Sequence, residues 1–183
     1  GWGWLRLQPF QNPQIPSIMG LWFPQRDVVM DEKFIELARS VAANSTCLGI
    51  KVGAVVAKGD RVLALGWNTQ PTGVEPCDLR GYCSEADHTC LTQQAASRAI
   101  HAEVLALGSA AQVGLSCKGA TLYVTHRPCF NCLKSAVAHG IARIVWVGEE
   151  YSPLSAINLW CDGVIALSRI GQLQTHAVEQ QAT

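Results

Sequence analysis

Two short stretches limit this chain more than any other feature: His101-Ala102-Glu103 and Pro128-Cys129-Phe130-Asn131-Cys132. Together they read H-A-E…P-C-x-x-C. Zinc favours a tetrahedral shell of nitrogen and sulfur, and a catalytic zinc keeps three protein ligands and one position open for water. His101, Cys129 and Cys132 supply three such donors, and two thiolates balance the ion's charge, which suits a buried site. Glu103 is left beside the metal without being needed as a ligand. A carboxylate there is placed to take a proton from the activated water.

The spacing also dictates local structure. Residues i and i+2 of a regular helix point to different sides, so His101 and Glu103 can reach one point only from a helix's first turn, which Ala102 keeps thin. Pro128 suits the start of a second helix. Cys129 and Cys132, three apart, share a face of its first turn, and a helix N-terminus stabilises thiolate. Two helix starts facing each other would form the pocket. A lone C-x-x-C is also half of a zinc ribbon or a redox pair. A ribbon needs a second pair at similar spacing, which the other cysteines do not provide, and a redox pair gives no reason for the upstream H-A-E.

The length of 183 residues suits one domain, and a hydrophobic share of 49% is ample for its core. Fourteen basic residues balance fourteen acidic ones, so no basic field favours backbone-driven binding to nucleic acid. The eight cysteines would suggest disulfides in a small secreted domain. Here two belong to a metal motif and no signal peptide is evident, so a reducing, cytoplasmic setting is expected. No apolar run approaches the roughly 18 residues of a membrane span.

Residues 1–29 form an aromatic, proline-rich arm: Trp2, Trp4, Phe10, Trp22 and Phe23 alternate with Pro9, Pro13, Pro16 and Pro24. Proline at this density argues against a helix. The arm reads either as a leader, with Met19 or Met30 as the start, or as a strap packing its aromatics on the domain or a neighbouring subunit. The domain proper is then 30–183. Met30 to Ala43 reads as an amphipathic helix through Phe34, Ile35, Leu37, Ala38 and Val41. Lys51–Ala57 and Arg61–Trp67 flank the turn Lys58-Gly59-Asp60 as a hairpin. Asn68 to Ser97 is a long polar segment, and such loops are usually functional or tied by metal. Helices are expected at Ile100–Ser109, Phe130–His139 and Pro153–Trp160. Strands are expected at Ala120–Val124, Arg143–Val147 and Gly163–Leu167, with a partly helical tail after Ser168. A hairpin followed by alternating helices and strands gives an α/β domain with a mixed sheet, the zinc at the sheet edge between the two motif helices. Cys117 and Cys161 read as buried thiols.

With both motifs and the hairpin in place, the chain resembles the cytidine deaminase superfamily, whose signature is H-x-E…P-C-x-x-C. Within it the chain is most similar to the deoxycytidylate (dCMP) deaminases and their bacterial late-competence relatives. The resemblance runs from about Met30 to Gly148 through Lys51-Val52-Gly53-Ala54-Val55, Gly66-Trp67-Asn68-Thr69-Gln70-Pro71-Thr72-Gly73, Cys77-Asp78, Arg98-Ala99-Ile100-His101-Ala102-Glu103 and Tyr123-Val124-Thr125-His126-Arg127-Pro128-Cys129. Leu105 and Arg127 depart from the family's usual residues.

The resemblance implies a three-layer α/β/α fold with a mixed five-stranded sheet and zinc-dependent hydrolytic deamination at C4 of a cytosine nucleotide, dCMP to dUMP. It implies Glu103 as acid and base, His101, Cys129 and Cys132 as zinc ligands, Asn68 on the sugar, and backbone groups at Ala102 and Thr125 on the base. A nucleotide needs cations for its phosphate: Arg98, Arg127 and His126 are nearest, and each reads equally well as a solvated surface group. Deamination of tRNA adenosine, a nucleoside or a free base is the alternative, and an inactive zinc module is a further one. A small-molecule partner and a homo-oligomer, hexamer or dimer, are also implied. Some members hold a second, structural zinc, whose ligands here would be Cys47, Cys77, His88 and Cys90, with Cys83 in reserve.

Overall fold

The computed structural model describes residues 24–81, 98–148 and 165–170. The first helix, α1 (Pro24–Ala42), buries Phe34, Ile35, Ala38 and Val41 on one side. It begins inside the arm rather than at Met30. Proline opens a helix without loss, because the first turn's N–H has no intrahelical partner and the ring already holds the helical φ. The prolines before it lie outside the described residues.

The hairpin follows as β1 (Gly53–Lys58) and β2 (Arg61–Trp67). A short helix, α2 (Cys77–Arg80), stands in what the sequence presents as a loop. Then come α3 (Ala102–Gln112), β3 (Thr121–Val124), α4 (Phe130–Ala138), β4 (Arg143–Trp146) and β5 (Ala166–Arg169). The expected helix at Pro153–Trp160 and the tail beyond residue 170 lie outside the described residues. The last strand is set later than Gly163–Leu167 because its register is fixed by pairing, Arg143 with Ala166 through Trp146 with Arg169.

The sheet order is β2-β1-β3-β4-β5. β1 is antiparallel to both neighbours, while β3–β4 and β4–β5 are parallel. The sheet is mixed and five-stranded, as expected. Alternate residues of each strand face opposite sides, giving two apolar layers. Val55, Ala57, Tyr123, Val145 and Val147 meet Phe34, Ile35 and Ala38 of α1. Ala54, Val56, Leu122, Val124, Ile144 and Trp146 meet Ala106, Leu107, Leu133 and Ala136 of α3 and α4. Burying a large aliphatic side chain such as Leu122 or Ile144 contributes about 1.5–3 kcal/mol.

Two glycines set how close the helices come. A Cβ on Gly66 of β2 would lie 2.2 Å from the Ala102 carbonyl oxygen and 2.5 Å from the Ala106 nitrogen. One on Gly53 of β1 would lie 1.9 Å from the Ala38 carbonyl oxygen. The first turn of α3 therefore rests on bare strand backbone, which fixes the position of the H-A-E segment.

Candidate active site

His101 and Cys129 are not inside their helices. Each is the N-cap, in extended backbone conformation at φ −68°, ψ 148° and φ −71°, ψ 166°. Pro128 precedes the cap, and Cys132 lies in the first turn of α4. The cap geometry lets His101 reach the same point as Glu103, because the chain has not yet begun to turn. His101 Nδ1 lies 3.4 Å from Cys132 Sγ and 3.7 Å from Cys129 Sγ, and the three donors all fall within 4.8 Å of one another. Metal–ligand bonds of about 2.0 and 2.3 Å in a tetrahedral shell put neighbouring donors about 3.5–3.8 Å apart. The donor set fits zinc in element, number and spacing, with one position left for water. The site stands at the end of the central strand β3, not at a lateral edge of the sheet, because α4 leaves directly from that end.

Cys129 and Cys132 are buried. The Cys132 thiol beside it holds Cys129 far below the usual thiol range, and the same bond together with burial pushes Cys132 up. The helix N-terminus also favours the thiolate form of Cys129. Glu103 is 4% exposed. Burial pushes its carboxyl above the usual range, only partly countered by its own backbone N–H and by His101. A carboxyl so placed is suited to both taking and giving a proton.

Four of the expected binding residues, Asn68, Ala102, Thr125 and Arg127, are buried. Asn68 is 9% exposed. Its Oδ1 accepts the Val52 N–H at 2.8 Å, and its Nδ2 donates to the Ile50 carbonyl at 2.8 Å. It clamps the approach to β1, which the sequence alone does not reveal. Thr125 accepts the Gly53 N–H at 3.1 Å and lies 2.9 Å from His126 Nδ1. Burial lowers the His126 pKa. Arg127 is not a solvated charge: it is 5% exposed, its guanidinium 5.9 Å from the Trp146 ring centroid. Arg98 and His126 are half-buried. Ala102 is fully buried under Gly66. Cys117 is buried, and burial raises its thiol pKa. Of the second-metal set, Cys47 and Cys77 lie on segments joined by an Asp78 N–H to Thr46 carbonyl bond of 3.2 Å. His88, Cys90 and Cys83 lie outside the described residues, as does Cys161.

The pattern described as the cytidine and deoxycytidylate deaminase zinc-binding region matches residues 29–148. The chain belongs to this family. It is 38% identical to the deoxycytidylate deaminase of Mycobacterium phage D29 over 124 residues, covering 66% of this chain and 95% of that one. It is 34% identical to ComE operon protein 2 of Bacillus subtilis over 121 residues, covering 66% of this chain and spanning 60% of that protein's length. Among solved structures, the dCMP deaminase of cyanophage S-TIM5 in complex with dCMP and dUMP superposes with a TM-score of 0.63 at 26% identity, over 78% of this chain and 97% of that one. Membership carries the zinc-binding deaminase fold, and the donor set above could hold a zinc ion.

Glycines 53 and 66 and the clamping role of Asn68 were not legible as functional. The signal for the glycines was there: a glycine inside a strand marks a bulge or close backbone approach.

Proposed function

We propose that this chain deaminates dCMP hydrolytically to dUMP. The observation that carries the reading is the meeting of His101, Cys129 and Cys132 at one point with buried Glu103 beside it. The names of the phage relatives support dCMP as the substrate. A zinc ion held by the three donors would supply an activated water for attack on C4. Glu103 takes the water's proton, delivers it to N3 of the ring, and passes the second proton to the amino group. The C4–N4 bond then breaks and ammonia leaves, so that dCMP and water become dUMP and ammonia. The nearly complete burial of Glu103 keeps bulk water from competing for those protons.

Asn68 is assigned to the sugar, through the amide hydrogen not given to Ile50. Backbone groups at Ala102 and Thr125 are assigned to the base. Arg98, Arg127 and His126 are assigned to the phosphate. The working form is a homo-oligomer, hexamer or dimer, in a reducing cytoplasm. Among the described residues no helix is long and apolar enough to cross a membrane.

The test is ammonia release from dCMP, CMP, deoxycytidine, cytosine, adenine and guanine. Turnover should be highest on dCMP, with deoxycytidine well behind it. No turnover of any cytosine compound would refute the reading, and a monomeric mass in solution would refute the assembly.

A further inference from the structure

We infer that Gln70 is a positioning residue for the metal ligand His101, holding in place the strap on which the ligand's segment is pinned. The inference rests on the zinc reading of His101. Gln70 is 6% exposed, and both ends of its amide are engaged. Its Oε1 accepts the Thr46 hydroxyl at 2.8 Å and the Cys77 N–H at 3.2 Å, and its Nε2 donates to Cys77 Sγ at 3.1 Å. The amide orientation is forced, since a flip would set two donors, Nε2 and the Cys77 N–H, against each other. Thr46 has given its one hydroxyl hydrogen to Gln70. The Thr46–Thr69 contact of 3.0 Å is therefore donated by Thr69.

These bonds close a loop. Helix α2 has Pro76 as its N-cap, without a side-chain capping bond. Its first two N–H groups go instead to Gln70 Oε1 and to the Thr46 carbonyl. On the strap's other side, Thr69 and Ile100 exchange backbone bonds of 2.8 and 3.2 Å. Ile100 immediately precedes His101. The excursion from Pro71 to Ala99 thus leaves and returns on the same three residues, 68–70. Gln70 grips its departure and Thr69 its return. With both ends fixed there, the excursion between them can vary without moving His101, and anything that loosens the strap moves the ligand.

The experiment compares wild type with Gln70→Met, which keeps the side chain's length and apolar stem but makes none of the three bonds. The zinc-loaded protein is labelled with 15N-histidine, and the metal-bound imidazole resonance of His101 is assigned by its loss in His101→Asn. Gln70→Met should shift and broaden that resonance and release zinc from that site to a chelator about tenfold faster, the low end of what lost support behind a metal ligand costs. An unchanged resonance and release rate, whatever happens to the melting temperature, would overturn the inference. If Gln70→Met does not fold, Thr46→Val, which removes only the shared hydroxyl, decides by the same two readouts. A wild-type His101 resonance indifferent to zinc would overturn the zinc reading itself, and this inference with it.

Discussion

Two buried sets of ionisable groups among the described residues are built in opposite ways. On the α1 side, Asp31 is 4% exposed. It receives both Arg143 Nη atoms at 2.8 and 2.6 Å and the Tyr123 hydroxyl at 2.9 Å. Arg143 also reaches Ser168 at 3.4 Å, so the set joins α1, β3, β4 and β5 and closes on itself. Tyr123 is pushed well above the phenol range, by burial first and then by its bond to Asp31. At the end of β3, by contrast, one nitrogen and two sulfurs converge to within 4.8 Å of one another, with a carboxyl beside them raised by burial. A buried charged cluster that satisfies itself is structure. One whose donors converge without closing is a site.

The sharpest way to break this comparison is to remove single members of each set. Cys132→Ala should abolish both zinc binding and turnover. Glu103→Gln should keep the zinc, because no ligand is lost, while turnover falls by about 10²–10⁴-fold. Metal analysis of the purified protein beside the ammonia assay separates the two outcomes. A Glu103→Gln enzyme with more than about a tenth of wild-type rate would remove Glu103 from its role.

A third cluster sharpens the rule. Cys47 and Cys77 stand on adjoining segments, and with His88 and Cys90 they would make a second convergent set of donors. Wild type is then expected to carry about two zinc ions per chain, falling to about one in a Cys77→Ser, Cys90→Ser variant that still deaminates but is several kcal/mol less stable. One zinc in fully active wild type would refute the second site.

How much of this could be read beforehand follows the same division. That His101, Cys129 and Cys132 would converge was legible because their spacing is local and their chemistry restrictive. That His101 and Cys129 act as helix caps was not, because the motif names residues rather than the boundary between extended and helical backbone. The hairpin, β3 and β4 were legible from their apolar runs. The position of β5 was not, since pairing with β4 fixes it and no turn residue does. The start of α1 was missed because proline was weighed as a breaker and not as an opener. The Asp31–Arg143 pair was beyond reach: its members lie 112 positions apart, and a single Asp and a single Arg carry no pattern.

Asp31→Ala tests that closed set. It takes from Arg143 its carboxylate partner and leaves it the bond to Ser168. Arg143's side chain is 32% exposed, so water offsets part of the loss, and the expected cost is about 2–3 kcal/mol, below that of breaking a fully buried pair. Denaturant unfolding measures it. Zinc content and turnover per folded molecule should match wild type, and a loss of zinc would mean the two clusters are coupled through the sheet.

Tyr123→Phe has the smallest expected effect and makes the comparison most exact. It deletes one hydroxyl and leaves the ring in its place against Phe34, at a centroid distance of 4.9 Å. Asp31 keeps both bonds from Arg143, so no charge is left unpaired. The expected cost is about 1–2 kcal/mol, that of a hydrogen bond to a charged group. In the Asp31→Ala background the hydroxyl keeps only its bond with Thr121, so adding Tyr123→Phe should cost less than it does alone. The shortfall from additivity measures the bond directly. A closed set should therefore lose stability in graded, coupled steps with turnover untouched, whereas the open set loses function outright when one donor goes. If Tyr123→Phe lowered turnover per folded molecule as Glu103→Gln does, the division between a self-satisfied cluster and a convergent one would fail for this protein.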